Sequence, residues 1–360
     1  MTKIRRKKVT VGLSGGVDSA VAAAILKDRG YEVTGVFLSL WKAQENTKEG
    51  QNSSEEEVSK ICEILDIPFA VIDARERFKK EVVGYFLREY EAGRTPNPCI
   101  FCNKNLKFRV LFEEANKLGA DYAATGHYAK VMEHEAHNME QKRYGLFQAF
   151  DKEKDQSYFL YTLTQEQLAK TLFPLGDYTK SQVRELAREF RLPVADKVES
   201  QDICFLSGTT AEEFLRKNIK SQVGKIIDVS GKVLGQHTGL SFYTLGQRKG
   251  ICLGGQGPYY VLEKNYKNNT LVVTNKANDL GILRNKFDLE EVNWISGEPD
   301  FPFETMLTAR YHNPLRHAII KKQEKTYTVE LGEPERAVTS GQSAVFYSKE
   351  GEVIGGGVII

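Results

Sequence analysis

Short apolar runs alternate with amphipathic stretches over the first two hundred residues. Val9–Leu13 has the character of a buried strand and ends in a Gly-rich turn. Asp18–Arg29 carries Val21, Ala24 and Ile25 at helical spacing, and Gly30 follows as the residue type that most easily turns a chain out of a helix. Tyr31–Leu40 is rich in β-branched and aromatic residues, which predicts a second strand; the polar stretch Lys42–Ser54 predicts a surface loop. The same reasoning predicts helices at Glu55–Leu65, Arg75–Ala92 and about Asn105–Leu118, and strands at Phe69–Asp73 and Ala120–Thr125. The Pro-rich stretch Thr95–Lys104 reads as non-helical. This rhythm predicts an α/β fold with a doubly wound parallel sheet, whose ligands collect at the carboxyl ends of the strands.

The texture changes after about residue 205. One more helical segment, Ala211–Lys220, precedes a region of short strands broken by turn signals at Asp228–Gly231, Lys267–Asn269, Ser340–Gly341 and Lys349–Gly351. Val345–Tyr347 and Val353–Ile360 read as closing strands of a small barrel or sandwich. The expected division is an α/β domain over 1–207, a small β-rich central domain over 208–280 and a C-terminal β-barrel over 281–360. The chain shows no internal repeat and no low-complexity tract.

Composition narrows the picture. With 360 residues, 41% hydrophobic and 27% charged, the chain is of ordinary globular type and long enough for two or three cores. No apolar run reaches the roughly 18 residues of a membrane span. Met1–Lys8 is basic but lacks the apolar segment of a secretory signal. Five cysteines form no disulfide framework and point to a reducing, cytoplasmic setting. A net charge of +2 does not announce nucleic-acid binding, although it can conceal a basic face. The one dense basic block, Lys3 with Arg5, Arg6, Lys7 and Lys8, reads more readily as a solvated arm than as a specific contact.

Candidate chemistry begins in the loop Gly12-Leu13-Ser14-Gly15-Gly16-Val17-Asp18-Ser19 between the first strand and the first helix. Backbone N–H groups and the helix dipole there favour an anion, and Gly15 and Gly16 allow a phosphate to come close. The loop has no Gly-Lys-Ser/Thr ending, so it is not a Walker A. Asp18 is either an organiser of a metal or phosphate site or an N-cap, as Ser19 could also be. Cys99 and Cys102 form a Cys-x-x-Cys, a spacing used by redox pairs and metal half-sites. No second pair completes a zinc site. Cys62 and Cys252 read as packing residues.

Taken in order, three strings make a family resemblance specific: the Ser-Gly-Gly-Val-Asp-Ser loop, the Asn97-Pro98…Cys102-Asn103-Lys104 stretch and Ser200-Gln-Asp-Ile-Cys204-Phe205. The first looks like the PP-loop of ATP pyrophosphatases, and together they resemble the tRNA-specific 2-thiouridylases. Ala124–Ala129, Lys154–Leu160, Leu245–Gly250, Ala309–His312 and Ser340–Ser343 extend the resemblance over nearly the whole chain.

The resemblance implies ATP with Mg²⁺ at Gly12–Ser19, with Leu38 and Gly126 also near the nucleotide. Leu38 stands where the family usually has a methionine, whose role is a backbone contact. It implies Cys102 as nucleophile and Cys204 as the carrier of a persulfide, the two forming a transient disulfide. Asn97, Pro98 and Cys99 would meet the target base, and His127, Lys154, Asp155, Gln156, Arg310, Tyr311 and Gln342 the tRNA. Sulfur would come from a relay protein or a cysteine desulfurase, and the loop Gly93–Asn97 would become ordered on tRNA binding. Cys99 departs from the family, which usually has an aspartate there; a thiol titrates far higher than a carboxylate, so an acid–base role is in doubt. It also leaves open an iron–sulfur site on Cys99, Cys102 and Cys204. A PP-loop synthetase acting on a small molecule and a non-catalytic RNA-binding module are the rival readings.

Overall fold

A computed structural model describes residues 5–41, 53–134, 142–199, 203–251, 253–254, 258–276, 279, 281–324 and 326–360. Lys3, most of the expected loop 42–54, Cys252 and residues 200–202 of the Cys204 motif lie outside these described residues.

The first sheet is built from β1 (Lys8–Leu13), β2 (Glu32–Ser39), β3 (Phe69–Asp73), β4 (Tyr122–Thr125) and the later β7 (Thr171–Leu172), in the order β3-β2-β1-β4-β7. Every neighbour pair is parallel, as the alternation of strands and helices predicts. The order reverses at β1, so a crevice opens between β1 and β4 at their carboxyl ends. The helix Val17–Asp28 fills the adjoining space. It is buried continuously from Val17 to Ile25 except at Asp18, because it packs on the sheet and against Val183 and Ala187 of the helix Lys180–Glu189.

Two predicted helices differ from expectation. Arg75–Ala92 is one helical rod with a π turn at Lys79–Val83 inserted between α-helical segments. The second helical rod begins at Pro98, not near Asn105, and runs to Lys117 with a π turn at Asn103–Lys107. The reason is local. Pro98 takes the first helical position, where a missing N–H costs nothing, and the Asn97 side chain accepts from the N–H groups of Cys99 and Ile100. Both cysteines of the Cys-x-x-Cys therefore ride on a helix.

Two strands from within the first two hundred residues do not join the first sheet. β5 (Ala129–His134) and β6 (Arg143–Gln148) form an antiparallel pair, and β6 pairs with the strand Glu352–Ile359 at the chain's end. The central region holds β8 (Gly224–Asp228), β9 (Val233–His237), β10 (Tyr260–Asn265) and β11 (Thr270–Thr274) in the order β10-β11-β8-β9. The remaining strands are β12 (Leu283–Trp294), β13 (Phe303–Thr308), β14 (Arg316–Gln323), β15 (Thr326–Arg336), β16 (Ser343–Tyr347) and β17 (Glu352–Ile359). They run β12-β15-β14-β13-β16-β17, and an additional β12–β17 pairing closes them into a six-stranded barrel. Closure removes the exposed edges, and Phe287, Leu289, Leu307, Ile320, Val329 and Phe346 are among the residues that fill the inside. No helix among the described residues is long and apolar enough to cross a membrane.

Candidate functional site

The Gly-rich loop leaves β1 at the crevice. Gly15 has a φ of +74°, and a Cβ there would stand 3.0 Å from Glu57 Oε2 and 3.1 Å from the Ser54 carbonyl, so both its conformation and its surroundings call for glycine. Gly16 is the N-cap of the helix and no side chain caps it. Ser19 closes the loop instead: its Oγ accepts from the Ser14 N–H at 3.1 Å and donates to the Gly16 carbonyl at 3.1 Å. Neither Asp18 nor Ser19 caps the helix, and the first turn keeps the character of an anion site.

Asp18 has another task. Lys180 Nζ donates to its Oδ1 and Oδ2 at 2.7 and 2.8 Å, and the Tyr128 hydroxyl donates to Oδ1 at 2.8 Å. Lys180 also pairs with Glu199 at 2.8 Å, and Glu199 accepts from Lys154 at 2.9 Å. Lys197 donates to the Gly15 carbonyl at 3.0 Å and pairs with Glu57. The loop lacks a lysine of its own, yet the tertiary structure brings two to it. Lys180, Lys197, Glu199 and Glu57 escape a reading of the sequence, because single charged residues leave no periodic signal, and Tyr128 is legible only as a member of Ala124–Ala129.

Gly126 follows β4 across the crevice. A Cβ at this position would lie 2.6 Å from the Ser19 amide nitrogen and 2.7 Å from the Asp18 carbonyl carbon, so β4 touches the loop backbone directly. Leu38 lies near the carboxyl end of β2, in register with Ile72 of β3, and is half-buried at the edge of the core that includes Phe78.

The thiols form a second centre. Cys99 and Cys204 are exposed and Cys102 is buried, and these three and Cys62 are free thiols. Cys204 and Cys102 lie about a hundred positions apart in the chain, yet each of Cys102 and Cys99 acts electrostatically on Cys204. Around Cys102 and the adjacent Phe205 stand Phe78, Phe86 and Leu106. Among the described residues no group of three or more His, Cys, Asp or Glu side chains is disposed to hold a metal ion, so the three thiols do not fit an iron–sulfur cradle in this arrangement. Cys62, by contrast, is buried in the first core with its thiol pushed up to about 11 by burial, as a packing residue should be.

Burial raises the pKa of all three site thiols, and that of Cys204, crowded by protein although the residue reaches solvent, stands at about 12. Lys107 opposes the effect at each of them. Its place at the end of the π turn brings it back toward Cys102, whose thiolate its backbone N–H also favours. At rest burial keeps these thiols protonated at neutral pH. The expected result is that alkylation of Cys204 by iodoacetamide, followed by peptide mass spectrometry, climbs about tenfold per pH unit from 7 to 10. A plateau below pH 9 would contradict this placement.

The loop Gly93–Asn97 is braced from two directions. Lys264, from the central region, donates to the Gly93 and Tyr243 carbonyls at 2.7 and 2.9 Å, and burial holds its pKa at about 8. From the barrel side, the Thr95 N–H donates to the Ser340 carbonyl at 2.8 Å and Gln342 Nε2 donates to the Thr95 carbonyl at 2.8 Å. Gln342 therefore positions the approach to Cys99 and Cys102.

The other residues singled out in the sequence are dispersed. Lys154 is paired with Glu199, as above. Asp155 is buried, its carboxylate accepting from Ala149 and Ser157, and Gln156 accepts from the Tyr128 N–H at 3.1 Å. Burial raises the Asp155 pKa. Tyr311 donates to the Asp155 carbonyl at 3.0 Å and packs on Phe159, while the neighbouring Arg310 is exposed. His127 bonds Thr125 Oγ1 at 2.7 Å between the rings of Phe108 and Phe173, and burial lowers its pKa to about 3. A ring that stays neutral at physiological pH offers no cation to a phosphate. Asn97 and Pro98 serve here as the cap and first residue of the cysteine helix.

Comparison with known proteins adds the following. Residues 7–208 match the family model for a tRNA methyl transferase HUP domain, 212–275 that for a tRNA methyl transferase PRC-barrel domain, and 284–359 that for an aminomethyltransferase beta-barrel domain. The chain is 42% identical to the tRNA-specific 2-thiouridylase MnmA of Carboxydothermus hydrogenoformans, over 100% of this chain and 99% of that protein. It is 42% identical to the protein of the same name from Nostoc punctiforme, over 98% and 99%, and 40% identical to that of Clostridium perfringens, over 98% of each.

Proposed function

This chain belongs to the tRNA-specific 2-thiouridylase family, and on that premise we propose that it replaces the C2 oxygen of the wobble uridine of tRNA with sulfur. The protein is an enzyme, a sulfurtransferase. Oxide is a very poor leaving group, so the oxygen must first be activated. Mg-ATP bound at Gly12–Ser19 is attacked at its α-phosphorus by the uridine oxygen; pyrophosphate leaves and the C2 oxygen carries adenylate. The terminal sulfur of a Cys204 persulfide then attacks C2. The Cys102 thiolate attacks the Cys204 sulfur and breaks the sulfur–sulfur bond. The electron pair passes to the transferred sulfur, AMP leaves with the former oxygen, and 2-thiouridine remains. Cys102 and Cys204 end as a disulfide, which an external two-electron dithiol reductant must reopen before the next cycle.

In this reading residues 1–207 carry the chemistry, and 208–280 and 281–360 hold the cysteine loop and contribute to the tRNA surface. The anticodon-loop base, already single-stranded, needs little work to enter the site, and phosphate contacts supply much of the affinity. The enzyme works in the cytoplasm and takes sulfur from a relay protein or a cysteine desulfurase. One observation carries the proposal: the fold packs Cys102 in one cluster with Ile203 and Phe205, the neighbours of Cys204, so that Cys204 comes within electrostatic reach of Cys102.

The test is thiolation of unmodified tRNA with Mg-ATP and a sulfur donor, read by nucleoside mass spectrometry in air and anaerobically. The expected product is 2-thiouridine at the wobble position in both, unaffected by Cys99→Ala. Product confined to anaerobic conditions and lost in Cys99→Ala would replace the persulfide route with a cluster route.

A further inference from the structure

Three cations converge on one carboxylate at the side of the Gly-rich loop. Glu199 accepts from Lys154 at 2.9 Å, pairs with Lys180 at 2.8 Å and lies 3.6 Å from Arg184. Lys180 is in turn bound to both oxygens of Asp18 within the loop. The Lys180 side chain is 12% exposed and that of Glu199 25%, so this is a partly desolvated network in which a missing partner would be costly. Although burial by itself would raise the Glu199 pKa, the hydrogen bonds and charges of Lys180 and Lys154 hold it at about 2. The carboxylate is therefore ionised at every working pH.

With Glu199 in place, the charges of Lys154, Lys180 and Arg184 are largely offset by those of Asp18 and Glu199, with one positive charge in surplus. Take Glu199 away and three cations face one carboxylate. That surplus suits a doubly charged phosphate group better than any neutral ligand. Lys180 and Arg184 both lie on the helix Lys180–Glu189, so the two cations hold a fixed spacing, and the Asp151 carboxylate anchors the start of that helix by accepting from the Lys180 N–H at 2.9 Å.

We infer that Lys154, Lys180 and Arg184 form a phosphate-binding site in which Glu199 is a built-in occupant, displaced when the substrate's phosphate arrives. The phosphate belongs either to the nucleotide in the Gly-rich loop or to the tRNA backbone. This rests on the function proposed above and assigns Glu199 to it as a positioning residue.

The test uses full-length protein and two probes measured separately: α,β-methylene-ATP with Mg²⁺, and an unmodified tRNA transcript. Glu199→Gln removes the competing charge and keeps the shape. It should tighten binding of one probe about fivefold to tenfold, which identifies the source of the phosphate, and Lys154→Gln should weaken binding of that same probe. The opposed signs exclude a general loss of folding. Affinities for both probes unchanged by Glu199→Gln, in a wild type that binds them, would overturn the phosphate site alone. A wild type that binds no α,β-methylene-ATP would instead sink the nucleotide chemistry on which the inference rests.

Discussion

Replacing Cys204 or Cys102 with serine should each lower thiolation by about a thousandfold or more while tRNA binding stays at the wild-type level. A serine hydroxyl cannot carry a transferable sulfur, so Cys204→Ser removes the donor. Cys102→Ser leaves the donor and removes the group that breaks its sulfur–sulfur bond. The two variants therefore differ in what accumulates. Mass spectrometry of the Cys102→Ser protein, incubated with the sulfur donor, should show one extra sulfur atom on the Cys204 peptide; the Cys204→Ser protein should carry none on Cys102. Cys102 is buried in an aromatic cluster, and a serine there buries a hydroxyl at a cost of about 1–3 kcal/mol if it finds no partner. Cys102→Ala, which avoids that cost, should give the same loss of activity. Full turnover in either serine variant would remove the role given to that cysteine.

The second large effect is expected at a residue with no side chain. Gly126→Ala places a methyl group within 2.6 Å of the Ser19 amide nitrogen and 2.7 Å of the Asp18 carbonyl carbon. Both are backbone atoms at the start of a helix buried on nearly every side, so neither can step aside cheaply. The loop must shift relative to β4, and a misplacement of about 1 Å in a positioning element costs on the order of a hundredfold in rate. Gly126→Ala should therefore bind α,β-methylene-ATP far more weakly and thiolate about a hundredfold more slowly, with a stability loss of about 1–3 kcal/mol by thermal unfolding. Gly119→Ala is a useful comparison, since nothing lies within 4 Å of the added methyl there. Gly119 has a φ of +62°, so that variant reports backbone strain without a clash at the loop. Nucleotide affinity equal in the two variants would show that close approach of β4 to the loop is unimportant.

The two halves of the site were unequally legible. Hydrophobic period was enough to locate four of the five strands of the parallel sheet, because buried strands read as apolar runs and a packed helix repeats its apolar residues every turn; β7, two residues long, is too short to show a period. The strand-to-helix position of the Gly-rich loop, the turn residues of the β-rich regions and the motif cysteines could likewise be read directly, since each depends on neighbours a few positions away. Pro98 misled, because two prolines in a short stretch suggest broken structure, whereas one sits at the first position of a helix that Asn97 caps.

Everything that depends on pairs far apart in the chain came from the tertiary structure alone. Asp18 meets Lys180, Glu199 meets Lys154, Gln342 holds the Thr95 carbonyl, and β6 pairs with β17. An isolated charge carries no period and no turn signature, so its partner is chosen only when packing sets two surfaces together. The same holds for the thiols. Three cysteines can be found by inspection, but burial and the cation at Lys107 set the balance of their protonation, and both arise from how the helices and the central region close around them.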